Sequence, residues 1–513
     1  MRNIFDYLHK TPNLWKQAFV YEKAGDMLSL TFDDVQTLAF SVGDFLFGQG
    51  IYKQPVPVFM EKTPHMAAAF FGVVCAGNFY VPLDAEMPKA RVCQILEAVN
   101  PPMIICDETT AGLVAQWGLA YPVCEYSEIS ATDTMDVRHD ELANIRNRAL
   151  DTDPVYVVFT SGSTGVPKGV VACHRGVIDY VDSLSAVLGV NEDTVFGLQS
   201  PLYLDACLKE IFSTLKCGAT TYFIPNSLFM FPVKLLAFIK DNGINTICWV
   251  ASALSLVAGL GALDVLEKDF LANLRTVAFG SEVFPMKHLE KWREALPPDA
   301  KMVHLYGPTE ATGMSAYYVL PKKSLLAKTT FPVPIGKPFL NREIILLDDS
   351  GKAPPAGEPG EIHIRGSQLS LGYFNDPERT KAAFIQNPAS PYTDIMYKTG
   401  DLGYVNADGN LVFTARRDHQ IKHMGYRIEL TEIEIAAQAL DGIEMTCAVF
   451  DEEKSRIILH YTTAGEGGIP ASALKNHLKS ALPRYMVPHS LKHMEALPLT
   501  PGGKIDRAKL RSS

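Results

Sequence analysis

A glycine- and hydroxyl-rich loop directly after a buried strand constrains this chain more than any other feature. Residues 155–159 form an apolar run rich in β-branched and aromatic residues, which predicts a strand buried on both faces. The next ten residues read TSGSTGVPKG, with three glycines between positions 162 and 169 and a lysine at 168. Backbone N–H groups, hydroxyls and an ammonium are the groups that bind a polyphosphate. The sequence therefore predicts a phosphate-binding loop over residues 160–169.

The loop departs from the usual nucleotide-binding pattern, because Pro167 stands where that pattern has a glycine before the lysine. The alternative interpretation is a polar linker, since runs of Gly, Ser and Thr are common in flexible connections. A linker seldom follows so apolar a strand and then leads into another, as residues 170–172 predict. We therefore favour the phosphate-binding interpretation.

Composition excludes some classes of function. The 513 residues are 47% apolar and 20% charged, which is typical of a globular chain of several domain-sized units. A net charge of −10 argues against nucleic-acid binding. Nine cysteines with no C-x-x-C pair predict reduced thiols in a cytoplasmic protein. Glycine and proline interrupt the most apolar window, residues 66–83, so we expect no stable membrane insertion.

The order of apolar segments predicts an α/β fold. Strand and helix patterns alternate as far as a strand at 276–279, as in a strand at 55–60, a helix at 65–76 and a strand at 78–83. This alternation predicts a large N-terminal part made of doubly wound sheets. From residue 335 onward, short strands separated by turn residues predict a β-rich subdomain.

The last part of the chain predicts a small α+β domain. A helix is predicted over residues 431–439, and Thr431 with Glu434 three residues later has the spacing of a capping box. A polar, glycine-containing loop, LPLTPGGKIDR, follows at residues 497–507.

Three stretches join the phosphate-binding loop in a recognisable series. They are HLYGPTEAT at 304–312, residues 397–434, and LPLTPGGKIDR at 497–507. In order and spacing the series resembles the motifs of the adenylate-forming (ANL) superfamily, in its amino-acid-activating branch. That branch contains nonribosomal-peptide adenylation domains and D-alanine–carrier-protein ligases. The resemblance implies that a carboxylate attacks the α-phosphate of ATP, and that a phosphopantetheine thiol then takes the acyl group as AMP leaves.

The resemblance also implies a set of site residues, with ATP and Mg²⁺ as cofactors. The pyrophosphate portion of ATP would be held by Thr160, Ser161, Gly162, Ser163, Thr164, Gly165 and Lys168. Adenine, ribose and the α-phosphate would be bound by Tyr306, Gly307, Thr309, Asp401 and Arg416. Glu310 would hold Mg²⁺, a hard cation that suits carboxylate oxygen. The catalytic residues would be Lys504, Thr309 and Lys168, with Lys504 bridging the substrate carboxylate and the α-phosphate.

The resemblance further implies a mobile C-terminal domain. The domains would be an N-terminal AMP-binding domain, 1–417, and a small domain, 418–513, with Asp418 as the hinge. Lys504 would have to leave the phosphate before pantetheine enters, and rotation would bring Gly425 to the pantetheine tunnel. Ala415 stands where the family usually has glycine, which restricts the backbone there.

Asp205 carries the substrate prediction. It stands where amino-acid-activating relatives have an aspartate for the α-ammonium, so we expect an amino acid substrate. The alternative role is an N-cap of a helix over 206–215. Lys209, one helical turn on, favours an i,i+4 contact with Asp205 on a solvated face; the alternative is a pocket floor that selects an acidic or polar side chain.

By family position, the other wall residues of the substrate pocket are Cys248, Val277, Phe279, Leu305, Gly313 and Met314. Gly313 would leave depth in this pocket, whereas Phe279 would shorten it toward a small substrate such as alanine. These two indications conflict, and the sequence leaves the identity of the amino acid open.

The predicted partner is a separate phosphopantetheinylated carrier protein, because the sequence contains no pantetheine attachment motif. A D-alanine-type ligase and a freestanding peptide-synthetase adenylation enzyme both fit. An acyl-CoA synthetase acting on a non-amino carboxylic acid is an alternative that Asp205 disfavours. A nucleotide-binding regulator with a decayed site is a second alternative, which the presence of Lys168, Glu310, Asp401 and Lys504 disfavours. His174 and His304 receive no catalytic role, because a carboxylate is already ionised at neutral pH and needs no general base.

Overall fold

The structure is a computed structural model that describes residues 3–9, 13–23, 25–130, 137–162, 164–321, 332–418, 420–463, 469–499 and 505–511. Two predicted site residues, Ser163 and Lys504, lie outside the described residues. Within these ranges, the helices are all too short or too polar to cross a lipid bilayer. All nine cysteines are free thiols.

The chain forms two compact units. Unit 1 comprises Met1–Ala85, Pro101–Val158 and Val170–Arg417, and unit 2 comprises Glu86–Asn100, Phe159–Gly169 and Asp418–Ser513. Unit 2 thus contains the predicted phosphate-binding loop together with C-terminal residues. The predicted division into domains 1–417 and 418–513 stays a prediction.

The described residues contain these strands, in chain order: β1 Gln17–Lys23, β2 Asp26–Thr31, β3 Pro55–Met60, β4 Phe79–Asp84, β5 Ile104–Cys106, β6 Val123–Glu125, β7 Pro154–Thr160, β8 Lys168–Cys173, β9 Val195–Leu198, β10 Thr220–Phe223, β11 Thr246–Val250, β12 Thr276–Gly280, β13 Lys301–Tyr306, β14 Ala316–Val319, β15 Lys337–Pro338, β16 Arg342–Leu347, β17 Gly360–Gly366, β18 Phe384–Gln386, β19 Ile395–Val405, β20 Leu411–Arg416, β21 Gln420–His423, β22 Tyr426–Glu429, β23 Ile443–Asp451, β24 Arg456–Thr463 and β25 Ser490–His493.

The helices of the same residues are α1 Phe5–His9, α2 Phe32–Gly48, α3 Pro64–Cys75, α4 Lys89–Val99, α5 Glu108–Trp117, α6 Tyr126–Ser130, α7 His139–Arg148, α8 His174–Leu188, α9 Leu208–Cys217, α10 Pro232–Asp241, α11 Ala251–Gly259, α12 Met286–Ala295, α13 Pro377–Ala383, α14 Leu430–Gln438, α15 Ala471–Ala481 and α16 Arg507–Arg511.

Two large sheets confirm the predicted α/β class. A nine-stranded sheet has the order β15-β14-β13-β12-β11-β9-β10-β1-β2, and a six-stranded sheet has the order β6-β5-β3-β4-β7-β8. The strands from β13 to β1 run parallel, and antiparallel strands lie at both edges of the larger sheet. Central strands such as β3 and β11 are buried along their whole length, as expected for sheets covered on both faces.

The two faces of the larger sheet belong to different hydrophobic cores. On one face, Cys248, Ala278 and Leu305 pack in a core that includes residues of α8 and α9. On the other face, Trp249 and Phe279 pack in a second core. Successive residues of a strand point to opposite faces, so the position of a residue along β11, β12 or β13 decides which core it joins.

The β-rich part after residue 335 is also confirmed. The antiparallel strands β16, β17, β19 and β18 form a sheet, and β20 pairs with β19. Asp401 of β19 stands opposite Arg416 of β20 in this pairing. The pairing therefore brings together two residues that lie 15 positions apart in the sequence.

Unit 2 contains the hairpin β21–β22, the three-stranded sheet β23-β24-β25 and helix α15, which packs on α4 and α14. The predicted capping box is wrong: α14 begins after Glu429 without a side-chain capping hydrogen bond. Glu434 instead accepts a hydrogen bond from Arg507 Nη1 at 2.6 Å and one from the Ala448 N–H at 2.7 Å. A partly buried guanidinium and a strand N–H satisfy this carboxylate better than the helix start does.

Candidate active site

The end of β13 and the β19–β20 pair place three predicted nucleotide-binding residues together in unit 1. Tyr306 donates its hydroxyl hydrogen to Asp401 Oδ2 at 2.6 Å. Arg416 donates to the other carboxylate oxygen of Asp401, and its second Nη donates to the Thr399 carbonyl at 3.2 Å. Burial raises the pKa of the Tyr306 hydroxyl well above its ordinary value, and the neighbouring Asp401 adds to that rise. Tyr306 therefore stays a neutral hydrogen-bond donor.

Glu310 lies on the short 3₁₀ turn that follows β13. It is fully buried, and its Oε1 accepts a hydrogen bond from the Tyr373 hydroxyl at 2.8 Å. Within the described ranges, no cluster of three His, Cys, Asp or Glu side chains has the geometry of a metal cage. Mg²⁺ is commonly held by one or two carboxylates together with substrate phosphates and water. A single carboxylate such as Glu310 therefore fits this mode of binding.

Asp205 lies on the 3₁₀ turn Asp205–Cys207 that leads into α9, so it does not cap that helix. The Thr309 hydroxyl hydrogen-bonds the Asp205 carboxylate. Burial raises the pKa of Asp205, whereas Lys209 and Thr309 lower it, and Glu310 raises it. The structure thus brings together a predicted substrate residue, Asp205, and two predicted nucleotide residues, Thr309 and Glu310.

Lys209 does not lie on a solvated face, which corrects the favoured sequence interpretation. Its side chain is only 4% exposed, and the next residue, Glu210, is fully buried. Both Lys209 and Glu210 act on the pKa of the Cys248 thiol, which burial raises. Asp205, Lys209, Glu210 and Cys248 therefore form one polar cluster, in which Asp205 is partly buried and the other three residues are buried. An amphipathic helix normally keeps such charges in water, so the burial of two adjacent charged residues marks this cluster as specialised.

Sequence reasoning missed Glu210 and its electrostatic neighbour Lys62. Neither carboxylate oxygen of Glu210 has a hydrogen-bond partner among the described residues, and burial raises its pKa to about 8. Lys62 Nζ donates to the Gln199 carbonyl at 3.0 Å, and burial lowers its pKa to about 8. The signal in the sequence was the position of Lys62 shortly after β3, since side chains at the carboxyl ends of parallel strands often form sites.

Replacing Glu210 with glutamine is expected to flatten the pH dependence of stability between pH 5 and 8. The folded protein keeps a proton on Glu210 up to about pH 8, whereas the unfolded chain releases it near the ordinary pKa of 4.5. The stability that Glu210 contributes is therefore highest at low pH and falls through this window, by up to ~1.4 kcal/mol per pH unit for one proton. Urea unfolding at pH 5, 6.5 and 8 measures this slope. The control is Glu290→Gln on the exposed face of α12, and equal slopes in wild type and Glu210→Gln would contradict the expectation.

The predicted substrate wall needs a correction at two positions. Val277 and Phe279 belong to the core on the opposite face of the sheet from Cys248, Leu305 and Met314. Phe279 stacks there on His304, with ring centroids 5.0 Å apart. A slip of one residue moves every side chain of a strand to the other face, and this is the error in the family-based assignment.

On the face of β12 that shares a core with Cys248 and Leu305, the structure has other residues than Val277 and Phe279. Ala278 pairs with Cys248 and lies in the same core. Gly280 is two residues further on, and a Cβ there would lie 2.3 Å from the Leu305 carbonyl oxygen. The side chains of this wall at β12 are thus small, so the residue that suggested a shortened pocket is absent from it.

Tyr180 of α8 fills the depth that Gly313 was expected to leave. Gly313 has a positive φ of +80°, and a Cβ there would lie 2.8 Å from Tyr180 Cζ. Gly307 has an equally strict requirement, because a Cβ would lie 2.2 Å from the Gly313 carbonyl oxygen. Both glycines are therefore required by close packing, whatever Gly307 contacts in a nucleotide or Gly313 in a substrate.

The phosphate-binding loop is described within unit 2. The Ser161 hydroxyl donates to the Arg427 carbonyl at 2.6 Å, and the Gly162 N–H donates to Glu432 Oε2 at 3.2 Å. Gly165 turns the chain with a φ of +78°, and its N–H donates to the Gly162 carbonyl at 3.0 Å. Thr160 Oγ1 is buried without a hydrogen-bond partner in the part of the chain that the structure describes. An unsatisfied buried hydroxyl is a group that a bound anion would satisfy.

Lys168 and Thr164 complete the described loop residues. Lys168 opens β8 and is 8% exposed, whereas Thr164 is exposed. Gly425 forms, with Met424, the two-residue turn between β21 and β22, and both have positive φ. Such a turn favours glycine for its own geometry, so the turn alone accounts for Gly425. Asp418 accepts a hydrogen bond from the Gln420 N–H at 3.2 Å.

Comparison with known proteins identifies the family. A family model described as AMP-binding enzyme matches residues 8–374. Bacitracin synthase 1 from Bacillus licheniformis is 32% identical over 486 residues, which cover 94% of this chain and 9% of that protein. Tyrocidine synthase 1 from Brevibacillus parabrevis is 29% identical over 484 residues, which cover 94% of this chain and 42% of that protein. The chain thus spans less than half the length of these two curated relatives.

Solved structures share the fold. NpsA-ThdA, an artificially fused adenylation–PCP di-domain from Klebsiella oxytoca, has a TM-score of 0.79 at 21% identity and covers 96% of this chain and 94% of that one. The o-succinylbenzoate CoA synthetase MenE from Bacillus subtilis has a TM-score of 0.82 at 20% identity and covers 100% and 99%. Together with the match over residues 8–374, these comparisons show that the chain belongs to the adenylate-forming family of AMP-binding enzymes.

Proposed function

We propose that this adenylate-forming enzyme activates an amino acid as its aminoacyl-adenylate and transfers it to the phosphopantetheine thiol of a carrier protein. The observation that carries the proposal is the Asp205 carboxylate, which is hydrogen-bonded by Thr309 and lies in the electrostatic range of Glu310. A carboxylate at this place selects an α-ammonium by opposite charge. The similarity to Bacitracin synthase 1 and Tyrocidine synthase 1, and to the adenylation–PCP di-domain NpsA-ThdA, supports this proposal.

Members of this family use ATP. We assign Tyr306, Gly307, Asp401 and Arg416 to its nucleoside, residues 160–168 to its pyrophosphate portion, and Glu310 to Mg²⁺, which would neutralise phosphate charge. Thr309 is assigned to the α-phosphate. Lys504 is assigned to the attacking carboxylate, as a cation that lowers the repulsion between two anions. Asp418 and Gly425 keep their proposed roles as hinge and tunnel residue, and reduced thiols with ATP as substrate favour a cytoplasmic enzyme.

The charge balance around Asp205 favours a substrate with an anionic side chain. Asp205 is partly buried and Lys209 is buried, and the two opposite charges lie close enough for Lys209 to lower the pKa of Asp205. When an α-ammonium takes Asp205, the buried Lys209 ammonium needs another anion. Glu210 is a poor one at neutral pH, because its pKa is raised to about 8. A side-chain carboxylate of the substrate would fill this role. Since Phe279 lies on the opposite face, its indication of a small substrate such as alanine is removed.

Replacing Lys209 with methionine is expected to lower kcat/KM for an acidic amino acid by about 10- to 100-fold, the range for one buried charged hydrogen bond. The uncharged amide analogue of that amino acid should lose much less. Initial rates of amino-acid-dependent pyrophosphate exchange for each acid–amide pair measure the change in preference. The matched control is Lys216→Met, also on α9, where the lysine pairs with Asp182 at 2.6 Å. An unchanged preference in Lys209→Met would contradict the assignment.

The choice of acyl acceptor separates the proposed function from that of an acyl-CoA synthetase, the alternative that the MenE fold keeps open. We expect a phosphopantetheinylated carrier protein to gain the mass of the amino acid in the presence of ATP and Mg²⁺. A carrier protein without the phosphopantetheine arm is the control. Formation of a coenzyme A thioester, with no loading of any carrier tested, would favour the alternative.

A further inference from the structure

One short segment of unit 2, residues 427–432, meets the phosphate-binding loop with oxygen atoms. The Arg427 carbonyl accepts from the Ser161 hydroxyl at 2.6 Å, and Glu432 Oε2 accepts from the Gly162 N–H at 3.2 Å. A hydroxyl and a backbone N–H predicted to bind phosphate are thus both used by protein acceptors.

The same segment also supplies a second carboxylate to the loop. Burial raises the pKa of Glu429, and the Lys168 ammonium acts in the opposite direction, so these two groups lie within electrostatic range. Lys168 is the cation predicted for pyrophosphate. Glu432 therefore accepts from a donor of the loop, and Glu429 lies within electrostatic range of the Lys168 ammonium of the same loop.

Burial raises the pKa of the Glu432 carboxyl, whereas Arg91 and the Gly162 N–H lower it and thus favour its anionic form. Its Oε1 accepts a hydrogen bond from Arg91 Nη1 at 2.8 Å, and the two side chains are 4% exposed for Arg91 and 5% exposed for Glu432. A buried carboxylate without a cation is strongly disfavoured, so Arg91 compensates the charge that Glu432 presents to the loop. Oε1 of Glu432 thus binds the Arg91 guanidinium, while Oε2 accepts the hydrogen bond from the Gly162 N–H.

Apolar packing fixes the loop on the same face of α14. A Cβ at Gly165 would lie 3.1 Å from Ile435 Cγ2. Ile435 and Glu432 are three residues apart, so they lie side by side on the helix surface. The contact between the loop and α14 therefore extends from Gly162 to Gly165 and is more than a single hydrogen bond.

We propose that Glu432 is an internal anion that occupies the phosphate-binding loop in place of pyrophosphate. The inference rests on the proposed function, because it takes the loop as the site of the pyrophosphate portion of ATP. A phosphate oxygen and the Glu432 carboxylate compete for the Gly162 N–H, and like charges at this distance repel. Nucleotide phosphates enter only when Glu432 withdraws, and Glu432 returns to the loop when pyrophosphate leaves. The apparent affinity for pyrophosphate is thus the intrinsic affinity multiplied by the fraction of molecules in which Glu432 has left the loop.

The test is the affinity of the full chain for inorganic pyrophosphate, measured by titration calorimetry with Mg²⁺ present. Glu432→Gln keeps the side-chain shape and removes the charge, so we expect pyrophosphate to bind about tenfold tighter, as for loss of one charged hydrogen bond. AMP lacks the β- and γ-phosphates, so its affinity should stay unchanged. Equal or weaker pyrophosphate binding by the folded variant would overturn the inference.

Two further variants keep the test decisive. Glu434→Gln is the matched control, because Glu434 lies on the same helix and pairs with Arg507 at 2.6 Å; it should leave pyrophosphate affinity unchanged. Arg91→Gln/Glu432→Gln removes both charges, leaves no buried ion unpaired, and should show the same gain as Glu432→Gln. Wild type that binds both probes without a gain in either variant overturns this inference alone. Wild type that binds neither AMP nor pyrophosphate overturns the inference and the proposed function together.

Discussion

Replacing Asp205 with asparagine is expected to raise KM for the amino acid by about 100-fold, or ~2.8 kcal/mol. Asparagine has nearly the same shape but no charge, so the α-ammonium loses its counter-ion in a partly buried place. Lys209, which Asp205 partly balances, would then also repel the ammonium. KM for ATP should change far less, because ATP carries no group that needs a carboxylate at this position. Steady-state pyrophosphate exchange with each substrate varied in turn measures both constants.

Asp182→Asn is the control for Asp205→Asn. It removes a carboxylate of α8 that pairs with Lys216 and is 56% exposed, so both KM values should stay as in wild type. If Asp205→Asn raised KM for ATP alone, Asp205 would be part of the nucleotide site and the amino acid assignment would be wrong.

Replacing Asp401 with asparagine is expected to reduce affinity for AMP by about 100-fold and to lower the free energy of unfolding by ~3 kcal/mol, as for breaking a buried ion pair. Asp401 accepts hydrogen bonds from Tyr306 and Arg416, and its side chain is 2% exposed. An asparagine side chain has one oxygen and one NH2 group. Either its NH2 group then faces the hydroxyl of Tyr306 or the guanidinium of Arg416, which are both donors, or its single oxygen must accept from both. Calorimetric titration with AMP and urea unfolding measure the two effects.

Asp349→Asn is the matched control for Asp401→Asn. Asp349 also pairs with an arginine, Arg417, but its side chain is 88% exposed. Exposed pairs contribute little, so both stability and AMP affinity should change by less than about 1 kcal/mol. Full AMP affinity in a folded Asp401→Asn variant would remove Asp401 from the nucleotide site.

Local sequence predicted the parts of the candidate site that one strand and its next turn determine. Tyr306 and Glu310 follow the end of β13, and the loop after β7 brings Ser161 and Gly162 directly behind a buried strand. Pairing of β19 with β20 then places Asp401 beside Arg416. In each case a short motif contains both the residue and the element that holds it.

Sequence could not determine which face of a strand a wall residue occupies. The choice between Phe279 and its neighbour Ala278 depends on register, and one residue reverses it. The prediction that Lys209 lies on a solvated face was wrong for a related reason. An i,i+4 pair of opposite charges has the same spacing on a solvated helix face and on a buried one. Glu434 matched a capping pattern, but Arg507, 73 residues away, takes its carboxylate. These outcomes depend on tertiary partners that the local pattern does not contain.

The measurement that tests the central claim most directly is ATP–pyrophosphate exchange by the full chain against a panel of L- and D-amino acids. Simple carboxylic acids serve as controls, and each acidic amino acid is paired with its amide. We expect exchange with an amino acid, strongest for one with an anionic side chain, and none with the same acid lacking the α-ammonium. Exchange only with carboxylic acids that have no α-ammonium would contradict the role of Asp205 and with it the proposed function.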